Sequence, residues 1–229
     1  MSVPAEHVVL FDVDNTLLDN DRVIADLRNH LERSFGSVSA QRYWSIFETL
    51  RAELGYADYL GALQRYRVDV ELGLDGDPRL LEMSTFLIDY PFAGVLYPGA
   101  LDVLRRLNAI APAVILSDGD AVFQPRKVQR SGLRDAVHGR VLIYIHKELM
   151  LDAMQQHYPA RHYVMVDDKL RILAAMKNAM GDRLTTVFVR QGHYAFDAAA
   201  LAAYPAADVS VQHIGELRDI DIARLGCVP

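Results

Sequence analysis

The chain has 229 residues, of which 51% are hydrophobic and 24% charged, and its formal net charge at pH 7 is −6. This composition excludes large-scale disorder and suits one large domain or a core with a smaller insert. The acidic balance excludes a long-range basic field, so we expect no nucleic-acid partner.

No apolar run approaches the roughly 18 residues that a membrane-spanning helix needs, so we expect no membrane partner. Residues 1–7 lack a basic region followed by an apolar stretch, which is the pattern of a secretory signal. These features favour a cytoplasmic location. The one cysteine, Cys227, has no second cysteine for an internal disulfide, and its place near the C-terminus argues against a nucleophilic role.

Five short apolar runs alternate with amphipathic stretches along the chain. The runs are 8–11, 113–116, 141–145, 163–166 and 186–189, and each is typical of a strand buried on both faces of a parallel sheet. The intervening stretches 100–107, 125–131, 148–157 and 170–180 are typical of helices. This alternation predicts an α/β fold of three layers around a mostly parallel sheet.

The segment from about residue 19 to residue 90 breaks this alternation, because it contains only helical patterns. Asp77-Pro78 favours the start of a fourth helix, with the aspartate as cap and the proline in the first turn. The three other sets at helical spacing are Ile24, Leu27, Leu31 and Phe35; Tyr43, Phe47, Leu50 and Leu54; and Tyr59, Leu63, Tyr66 and Val70. We therefore predict a helical domain at 19–95, inserted into a core made of 1–18 and 96–229.

Two carboxylates, Asp12 and Asp14, stand just beyond the first apolar run. Two like charges this close are unfavourable unless a cation or a shared proton relieves them, which indicates a metal site or an acid/base site. A turn with solvated carboxylates is the alternative. A calcium-binding loop fits less well, because Thr16 and Leu17 stand where such a loop needs an oxygen ligand and a glycine.

Two further polar groups follow later apolar runs. Ser117-Asp118-Gly119 can offer a hydroxyl and backbone N–H groups to a phosphate, although taken alone an ordinary turn explains it better. Lys147 offers a compact cation for phosphate oxygens, with a solvated lysine as the alternative.

The adjacent acids Asp167 and Asp168 follow the fourth apolar run. Paired acids at a strand end suit a hard cation such as Mg²⁺, and they equally suit the cap of the next helix. In an open parallel sheet, ligands bind beyond the carboxyl ends of the strands. All four polar groups are therefore expected to converge on one edge of the sheet.

In this order the four groups resemble the motifs of the haloacid dehalogenase superfamily, and in particular of its phosphatases. The first motif of that family, Asp-x-Asp-x-Thr, is matched by residues 12–16. Ser117 matches the second, Lys147 the third, and the pair Asp167 and Asp168 the fourth. The resemblance implies a Rossmann-like core with a small helical cap domain inserted after the first motif.

The resemblance also implies a phosphatase that acts on a small phosphorylated metabolite. Asp12 would attack phosphorus and form an aspartyl-phosphate, while Asp14 would serve first as acid and then as base. The residues implied in binding the phosphoryl group are Ser117, Asp118, Gly119 and Lys147.

The same resemblance implies a Mg²⁺ ion as cofactor. Its ligands would be the Asp12 carboxylate, the Asp14 backbone carbonyl and Asp167, with Asp168 contributing directly or through water. Which of Asp167 and Asp168 is the direct ligand stays open, because Lys169 follows them and can pair with either.

Three other functions stay open at this stage. A phosphomutase or other phosphotransferase would pass the phosphoryl group from the same aspartyl-phosphate to an alcohol. A 2-haloacid dehalogenase is less favoured, because a halide leaving group needs no proton and Asp14 would have no task. A non-catalytic binding protein would keep the fold without turnover. In each case we expect a monomer or a homodimer.

The helical cap is expected to close over the site and set the substrate range. His193, in the loop after the fifth apolar run, is better explained as a surface residue than as a site residue. Candidate cap contacts, each of which has packing or a solvated helix face as its alternative, are Asn20, Arg22, Trp44, Arg51 and Arg67.

Overall fold

In the computed structural model, which describes residues 4–221, six strands form one sheet with parallel pairing throughout. Cys227 lies outside the described residues. The strands are β1 (Ala5–Phe11), β2 (Ala113–Asp118), β3 (Val141–Tyr144), β4 (Ala160–Asp167), β5 (Leu184–Val189) and β6 (Val209–Val211). Their order across the sheet is β3-β2-β1-β4-β5-β6, so β1 lies at the centre.

The sheet carries a hydrophobic layer on each face, which explains why residues 8–11 of β1 are all apolar. In β1, Val9 and Phe11 pack into one buried cluster, whereas Val8 and Leu10 pack into the other. This alternation follows from the two-residue period of side chains along a strand. The predicted three-layer α/β fold is therefore confirmed, and the sheet is entirely parallel within the described residues.

Two strands depart from the predictions. Residues 141–145 were expected to be buried on both faces, but β3 is half-buried and Ile145 is exposed, because β3 forms an edge of the sheet. β6 is the opposite edge and has no counterpart among the predicted strands. Its three residues, with Ser210 at the centre, are too few to give an apolar run.

The predicted helices of the core are present, with changed bounds at two of them, and the helix expected at 125–131 is Phe123–Arg130. Residues 148–157 were expected to form one helix, but Lys147–Leu149 form a 3-10 turn before the α-helix begins at Leu151. The α-helices are α1 (Asn20–Phe35), α2 (Ser37–Leu54), α3 (Tyr59–Arg67), α4 (Arg79–Asp89), α5 (Ala100–Asn108), α6 (Phe123–Arg130), α7 (Leu133–Ala136), α8 (Leu151–His157), α9 (Leu170–Met180) and α10 (Ala198–Ala203). Further 3-10 turns are Phe92–Val95, Gly181–Arg183, His193–Phe196 and Ile214–Asp219.

Helices α1 to α4 form the insert that follows β1. The buried face of α1 is built on Val23, Leu27 and Leu31, so the predicted apolar face is shifted by one residue at its start. Val70 was expected on the third helix, but α3 ends at Arg67 and Val70 is 93% exposed. In α4, Pro78 is the N-cap residue, and the Asp77 carboxylate accepts the Arg79 N–H at 2.9 Å.

The insert shares a hydrophobic cluster with one face of the sheet. Phe47 of α2 stacks on Tyr59 of α3 at 4.7 Å between ring centroids, and Tyr59 meets Phe123 of α6 at 5.1 Å. An ion pair of 3.0 Å joins Arg126 of α6 to Asp89 of α4. These contacts hold the insert against α6. The predicted domain boundaries, between residues 18 and 19 and between residues 95 and 96, stay a prediction. No helix of the described residues is long and apolar enough to cross a membrane.

Candidate active site

The register of the three central strands determines which side chains meet at their carboxyl ends. Phe11, the last residue of β1, pairs with Ile115 of β2 and with Val166 of β4. Asp12 follows directly, and its N–H donates to the Val166 carbonyl at 3.0 Å. The carboxylates of Asp12 and of Asp167, the residue after Val166, are thereby brought to the same edge of the sheet.

Lys147 lies between two of these carboxylates and is only 2% exposed. Its ammonium donates to Asp12 Oδ1 at 2.5 Å and forms an ion pair of 2.7 Å with Asp167 Oδ2, without hydrogen-bond alignment. Burial opposes the charge of Lys147, but the neighbouring carboxylates outweigh it and raise the pKa of the ammonium above its ordinary value. The third predicted motif is thus joined directly to the first and fourth.

The carboxylate cluster of Asp12, Asp167 and Asp168 has the chemistry of a divalent-cation site. One oxygen from each acid lies within 4.8 Å of the others, and all three side chains are buried. Burial raises the pKa of Asp167 and raises that of Asp168 further. Within residues 4–221, both Asp168 oxygens are buried without a hydrogen-bond partner. Because an unpaired buried carboxylate is costly, this cluster fits a hard cation such as Mg²⁺.

Asp14 points into a different environment from Asp12. Its Oδ1 accepts a hydrogen bond from the Lys127 ammonium at 2.6 Å, and its Oδ2 accepts a longer one of 3.4 Å from Gln124. Lys127 also donates to Asn20 Oδ1 at 3.0 Å. The Asp14 side chain therefore stands apart from the carboxylate cluster, and only its backbone carbonyl remains as the expected cation ligand.

Ser117 lies at the end of β2 and is buried. Its hydroxyl oxygen accepts a hydrogen bond from Gln124 Nε2 at 2.9 Å. The Gly119 N–H donates to the Tyr144 carbonyl at 2.9 Å and extends the pairing with β3, so it is not free for a phosphate, and the part of this turn in phosphate binding stays a prediction. Glycine is required here for another reason: a Cβ atom would lie 2.5 Å from the Gln124 side chain.

Asp118, the last residue of β2, connects this strand to Lys147, the third motif. Its Oδ1 accepts the Lys147 N–H at 2.7 Å, which fixes the start of the 3-10 turn that carries Lys147. Burial raises the pKa of Asp118 to about 6, against the opposing charge of the Lys147 ammonium. Asp118 also lines the cavity described below, together with Gly119.

The loop between β1 and α1 is closed by Asn15. This residue has a φ of 61°, and asparagine tolerates the left-handed region better than most residues. Its Oδ1 accepts the N–H groups of Asn20 and Asp21 at 3.0 and 3.2 Å. Asp19 caps α1 by accepting the Arg22 N–H. The turn directs Asp14 and Asn20 towards Lys127.

A cavity of ≈ 460 Å³ opens between the insert and the strand ends. Of the five candidate contacts on the insert, Asn20, Trp44 and Arg51 line it. Arg22 and Arg67 are instead exposed and form ion pairs with acids of the insert. The principal lining residues are Asp14, Asn20, Arg28, Trp44, Phe47, Arg51, Tyr56, Tyr59, Asp118, Phe123, Gln124, Lys127, Lys169, His193 and Tyr194.

The loop after β5 connects the core to the insert across this cavity. His193 lines it, and its Nδ1 lies 2.6 Å from Asp21 Oδ1 while its N–H donates to Asp21 Oδ2. The Tyr194 hydroxyl accepts a hydrogen bond from Arg51 at 3.1 Å. His193 was expected on the surface, and its side chain is 55% exposed, so it is a surface residue at the rim of the cavity.

Sequence reasoning missed Lys127 and Gln124, the two residues that hold Asp14. A signal was available in α6, where the buried positions are Phe123, Gln124, Lys127 and Val128. This spacing defines one face of a helix. Two polar side chains on the inward face of a helix need partners, since a buried lysine is almost always paired.

Sequence and structure comparisons identify relatives of the chain. A sequence model of haloacid dehalogenase-like hydrolases matches residues 7–179. A solved structure from Burkholderia xenovorans, described as a haloacid dehalogenase-like hydrolase, is 68% identical with a TM-score of 0.88 and covers 95% of this chain and 100% of its own. No curated protein sequence matches the chain.

More distant structures share the fold alone. A haloacid dehalogenase-like family hydrolase from Xanthomonas campestris is 17% identical with a TM-score of 0.68, covering 97% of this chain and 93% of its own. An L-2-haloacid dehalogenase from Xanthobacter autotrophicus, with chloropropionic acid covalently bound, is 20% identical with a TM-score of 0.57, covering 92% and 96%.

Proposed function

The chain belongs to the haloacid dehalogenase-like hydrolases, and within this family we propose that it is a Mg²⁺-dependent phosphatase of a small phosphorylated metabolite. The observation that carries this proposal is the separate placement of the two motif aspartates. Asp12 lies in the acid cluster beside Lys147, while Asp14 borders the substrate-sized cavity. Attack at phosphorus and proton transfer to a leaving group need two such carboxylates in different surroundings.

In the first step, an Asp12 carboxylate oxygen attacks the phosphorus of the bound ester. The bond from phosphorus to the ester oxygen breaks, and Asp14, which takes up a proton as the ester binds, gives that proton to the departing alkoxide. Lys147 holds Asp12 Oδ1 at 2.5 Å and Thr16 donates to Asp12 Oδ2 at 3.3 Å, so the nucleophile enters the reaction already oriented.

In the second step, water attacks the phosphorus of the aspartyl-phosphate. Asp14, now ionised, takes a proton from this water, and the bond between phosphorus and Asp12 breaks to release inorganic phosphate. Ser117 accepts a hydrogen bond from Gln124 and donates a longer one of 3.3 Å to the Asp118 carbonyl, and on substrate binding its hydroxyl would donate to a phosphoryl oxygen instead. Each step conserves protons, and the enzyme returns to its starting state.

The acid cluster would hold the cofactor. Mg²⁺ held by Asp12, Asp167 and Asp168 would supply positive charge that offsets the repulsion between the carboxylates and a phosphate dianion. The unpartnered oxygens of Asp168 favour direct ligation by this residue as well as by Asp167. The Lys147 ammonium contributes positive charge at the same place without a metal.

The cavity supports a small organic leaving group. Its volume of ≈ 460 Å³ accommodates a metabolite, and aromatic side chains such as Trp44, Phe47 and Tyr59 form the wall on the insert. Arg28 and Arg51 add charge to the same wall. A 2-haloacid dehalogenase is disfavoured because the carboxyl group of Asp14 would face that cavity with no proton to transfer.

Release of inorganic phosphate from 4-nitrophenyl phosphate tests the proposal. We expect the wild-type protein to release phosphate with Mg²⁺, and to lose at least about a thousandfold in kcat with EDTA or as Asp12→Asn. Thermal unfolding of both proteins controls for loss of fold, and a parallel assay of chloride release from 2-chloropropionate tests the dehalogenase alternative.

Three outcomes would redirect the proposal. Chloride release without phosphate release would replace the phosphatase by a dehalogenase. Nitrophenol release that exceeds phosphate release when an alcohol is added would indicate a phosphotransferase. A folded wild-type protein that binds Mg²⁺ and attacks no phosphate ester would leave a binding protein.

A further inference from the structure

Lys127 is a charged side chain with almost no access to water, on a helix that carries none of the family motifs. It is 1% exposed, and its ammonium contacts Asp14 Oδ1 at 2.6 Å and Asn20 Oδ1 at 3.0 Å. Removing an ammonium from water is expensive, and a buried ion pair is weak evidence of added stability. Stability alone therefore does not explain why the Lys127 ammonium is buried beside Asp14.

Gln124, one helical turn earlier in α6, completes the arrangement. Its Nε2 donates to Ser117 Oγ at 2.9 Å and lies 3.4 Å from Asp14 Oδ2. Positions i and i+3 lie on the same face of a helix, so α6 presents both groups to Asp14 at once. The glycine at position 119 keeps the space that the Gln124 side chain fills.

Resting on the proposed function, we propose that Lys127 and Gln124 are positioning residues that hold the Asp14 carboxyl group in line with the leaving oxygen. The loop that carries Asp14 has few other constraints on this side chain, which is 26% exposed. The Lys127 ammonium holds Asp14 Oδ1, and the Gln124 side-chain amide holds Asp14 Oδ2. Through Asn20, the first residue of α1, the same ammonium ties this geometry to the insert.

The dependence of kcat/KM on the leaving group tests this role, because a merely structural effect of Lys127 would lower kcat/KM equally for all esters. Release of an alkoxide depends on a proton from Asp14, whereas 4-nitrophenolate departs with little help. We expect Lys127→Met to lower kcat/KM for benzyl phosphate by about 10- to 100-fold, the scale of a misplaced catalytic group. For 4-nitrophenyl phosphate we expect a loss below about threefold. Since kcat/KM ends at the first irreversible step, slow hydrolysis of the aspartyl-phosphate does not obscure the comparison.

A double-mutant cycle with Asp14→Asn separates positioning from folding. Asp14→Asn alone is expected to lower kcat/KM for benzyl phosphate by about 10²- to 10⁴-fold, and Lys127→Met added to it should cost nothing further. The double variant also leaves no unpaired charge at this position, so its thermal unfolding is expected to approach that of the wild-type protein. Gln124→Ala should follow Lys127→Met with a smaller loss.

Four results would overturn the inference. Equal losses of kcat/KM for both esters in Lys127→Met would indicate a general structural effect. Losses that multiply in the double variant would show that Lys127 acts independently of Asp14. A faster Lys127→Met enzyme would mean that the ammonium restrains the acid instead of aligning it. A folded wild-type protein without Asp12-dependent ester hydrolysis would remove the proposed function itself, and with it the acid to be positioned.

Discussion

The two halves of the candidate site solve the problem of a buried charge in different ways. Around Asp12, the Lys147 ammonium contacts two of the three buried carboxylates, those of Asp12 and Asp167, whereas within residues 4–221 the Asp168 oxygens have no hydrogen-bond partner. Around Asp14, one carboxylate meets one ammonium, that of Lys127, and the remaining partners are neutral amides. The first half carries excess negative charge within residues 4–221, and the second is balanced.

This difference assigns a task to each half. Excess buried negative charge is tolerated only if a cation or protons relieve it. Burial raises the pKa of Asp168, and the neighbouring carboxylates of Asp167 and Asp12 add to this effect against the opposing charge of Lys169. A balanced pair needs no ion and can serve to fix a geometry. We therefore expect Mg²⁺ to bind at the Asp12 half, with the Asp14 backbone carbonyl as a further ligand, and the Asp14 side chain to keep its partners with or without the metal.

The two buried lysines give the largest expected effect. Lys147→Met removes the ammonium contact of the acid cluster, so we expect the free energy of unfolding at pH 7 in EDTA to fall by about 3–5 kcal/mol. Lys127→Met is the matched control. It leaves only the Asp14 carboxylate unpaired, and because that side chain is 26% exposed, the free energy of unfolding should fall by less. Chemical denaturation in EDTA and in Mg²⁺ measures both.

Mg²⁺ should restore a large part of the stability of Lys147→Met, because the ion replaces the lost positive charge among the carboxylates. It should do no more for Lys127→Met than for the wild-type protein. Equal rescue of both variants would contradict the division of the site into two halves.

Asp118 makes the stability of the metal-free protein depend on pH. Its pKa is raised by burial to about 6, against 3.8 for an ordinary aspartate, so the folded state disfavours the ionised form. The resulting loss of folding stability is absent below pH 3.8, grows as the pH rises towards 6, and reaches about 3 kcal/mol above pH 6.

Asp118→Asn keeps the acceptor for the Lys147 N–H but never ionises. In EDTA we expect it to be more stable than the wild-type protein at pH 7.5 by up to about 3 kcal/mol, and no more stable below pH 4. Denaturation curves across this range check the result. A constant difference at every pH would show that Asp118 does not titrate in this window.

Asp168 and Asp14 test the cation site from its two sides. Asp168→Asn removes a carboxylate whose oxygens lack other partners, so we expect the Kd for Mg²⁺ to rise at least about tenfold in isothermal titration calorimetry. Asp14→Asn removes a carboxylate already paired with Lys127, and its backbone carbonyl is unchanged. A similar Kd for Asp14→Asn and the wild-type protein is therefore expected, and a comparable weakening in both variants would refute this assignment.

Gly119 tests the packing around Gln124. Its Cβ atom in Gly119→Ala would lie 2.5 Å from the Gln124 side chain, which must move away from Ser117 and Asp14. We expect a loss of about 1–3 kcal/mol in unfolding free energy, with kcat/KM for benzyl phosphate falling more than that for 4-nitrophenyl phosphate. Unchanged values for both esters would show that Gln124 adapts without consequence.

The sequence contained the information for the acid-rich half because its residues lie at strand ends. Apolar runs mark the strands, and parallel pairing brings their carboxyl ends together, so Asp12, Lys147 and Asp167 could be placed on one edge. The same reasoning failed for β6, whose edge position needs no apolar run. It also failed for the bounds of α8, since a side-chain contact from Asp118 shapes the preceding turn.

The balanced half could not be read from strand ends, because it is assembled from a helix. Lys127 and Gln124 reach Asp14 only once α6 is packed against the sheet and the insert. In the sequence, Lys127 and Gln124 are two polar residues on an otherwise apolar helical face. This pattern predicts that each has a buried partner, but it does not identify Asp14 as that partner. Which backbone N–H groups beside Ser117 are free could not be predicted either, since the Gly119 N–H is used by the β2–β3 pairing.

The most direct test of the central claim is to trap the phosphoryl group on Asp12. Without its base, Asp14→Asn given Mg²⁺ and 4-nitrophenyl phosphate should release one equivalent of nitrophenol in a burst and then stall. Acid quenching followed by peptide mass spectrometry should then locate a phosphoryl group on Asp12. A folded variant that turns over steadily, or one whose burst leaves Asp12 unmodified, would contradict covalent catalysis by Asp12 and the division of labour between the two aspartates.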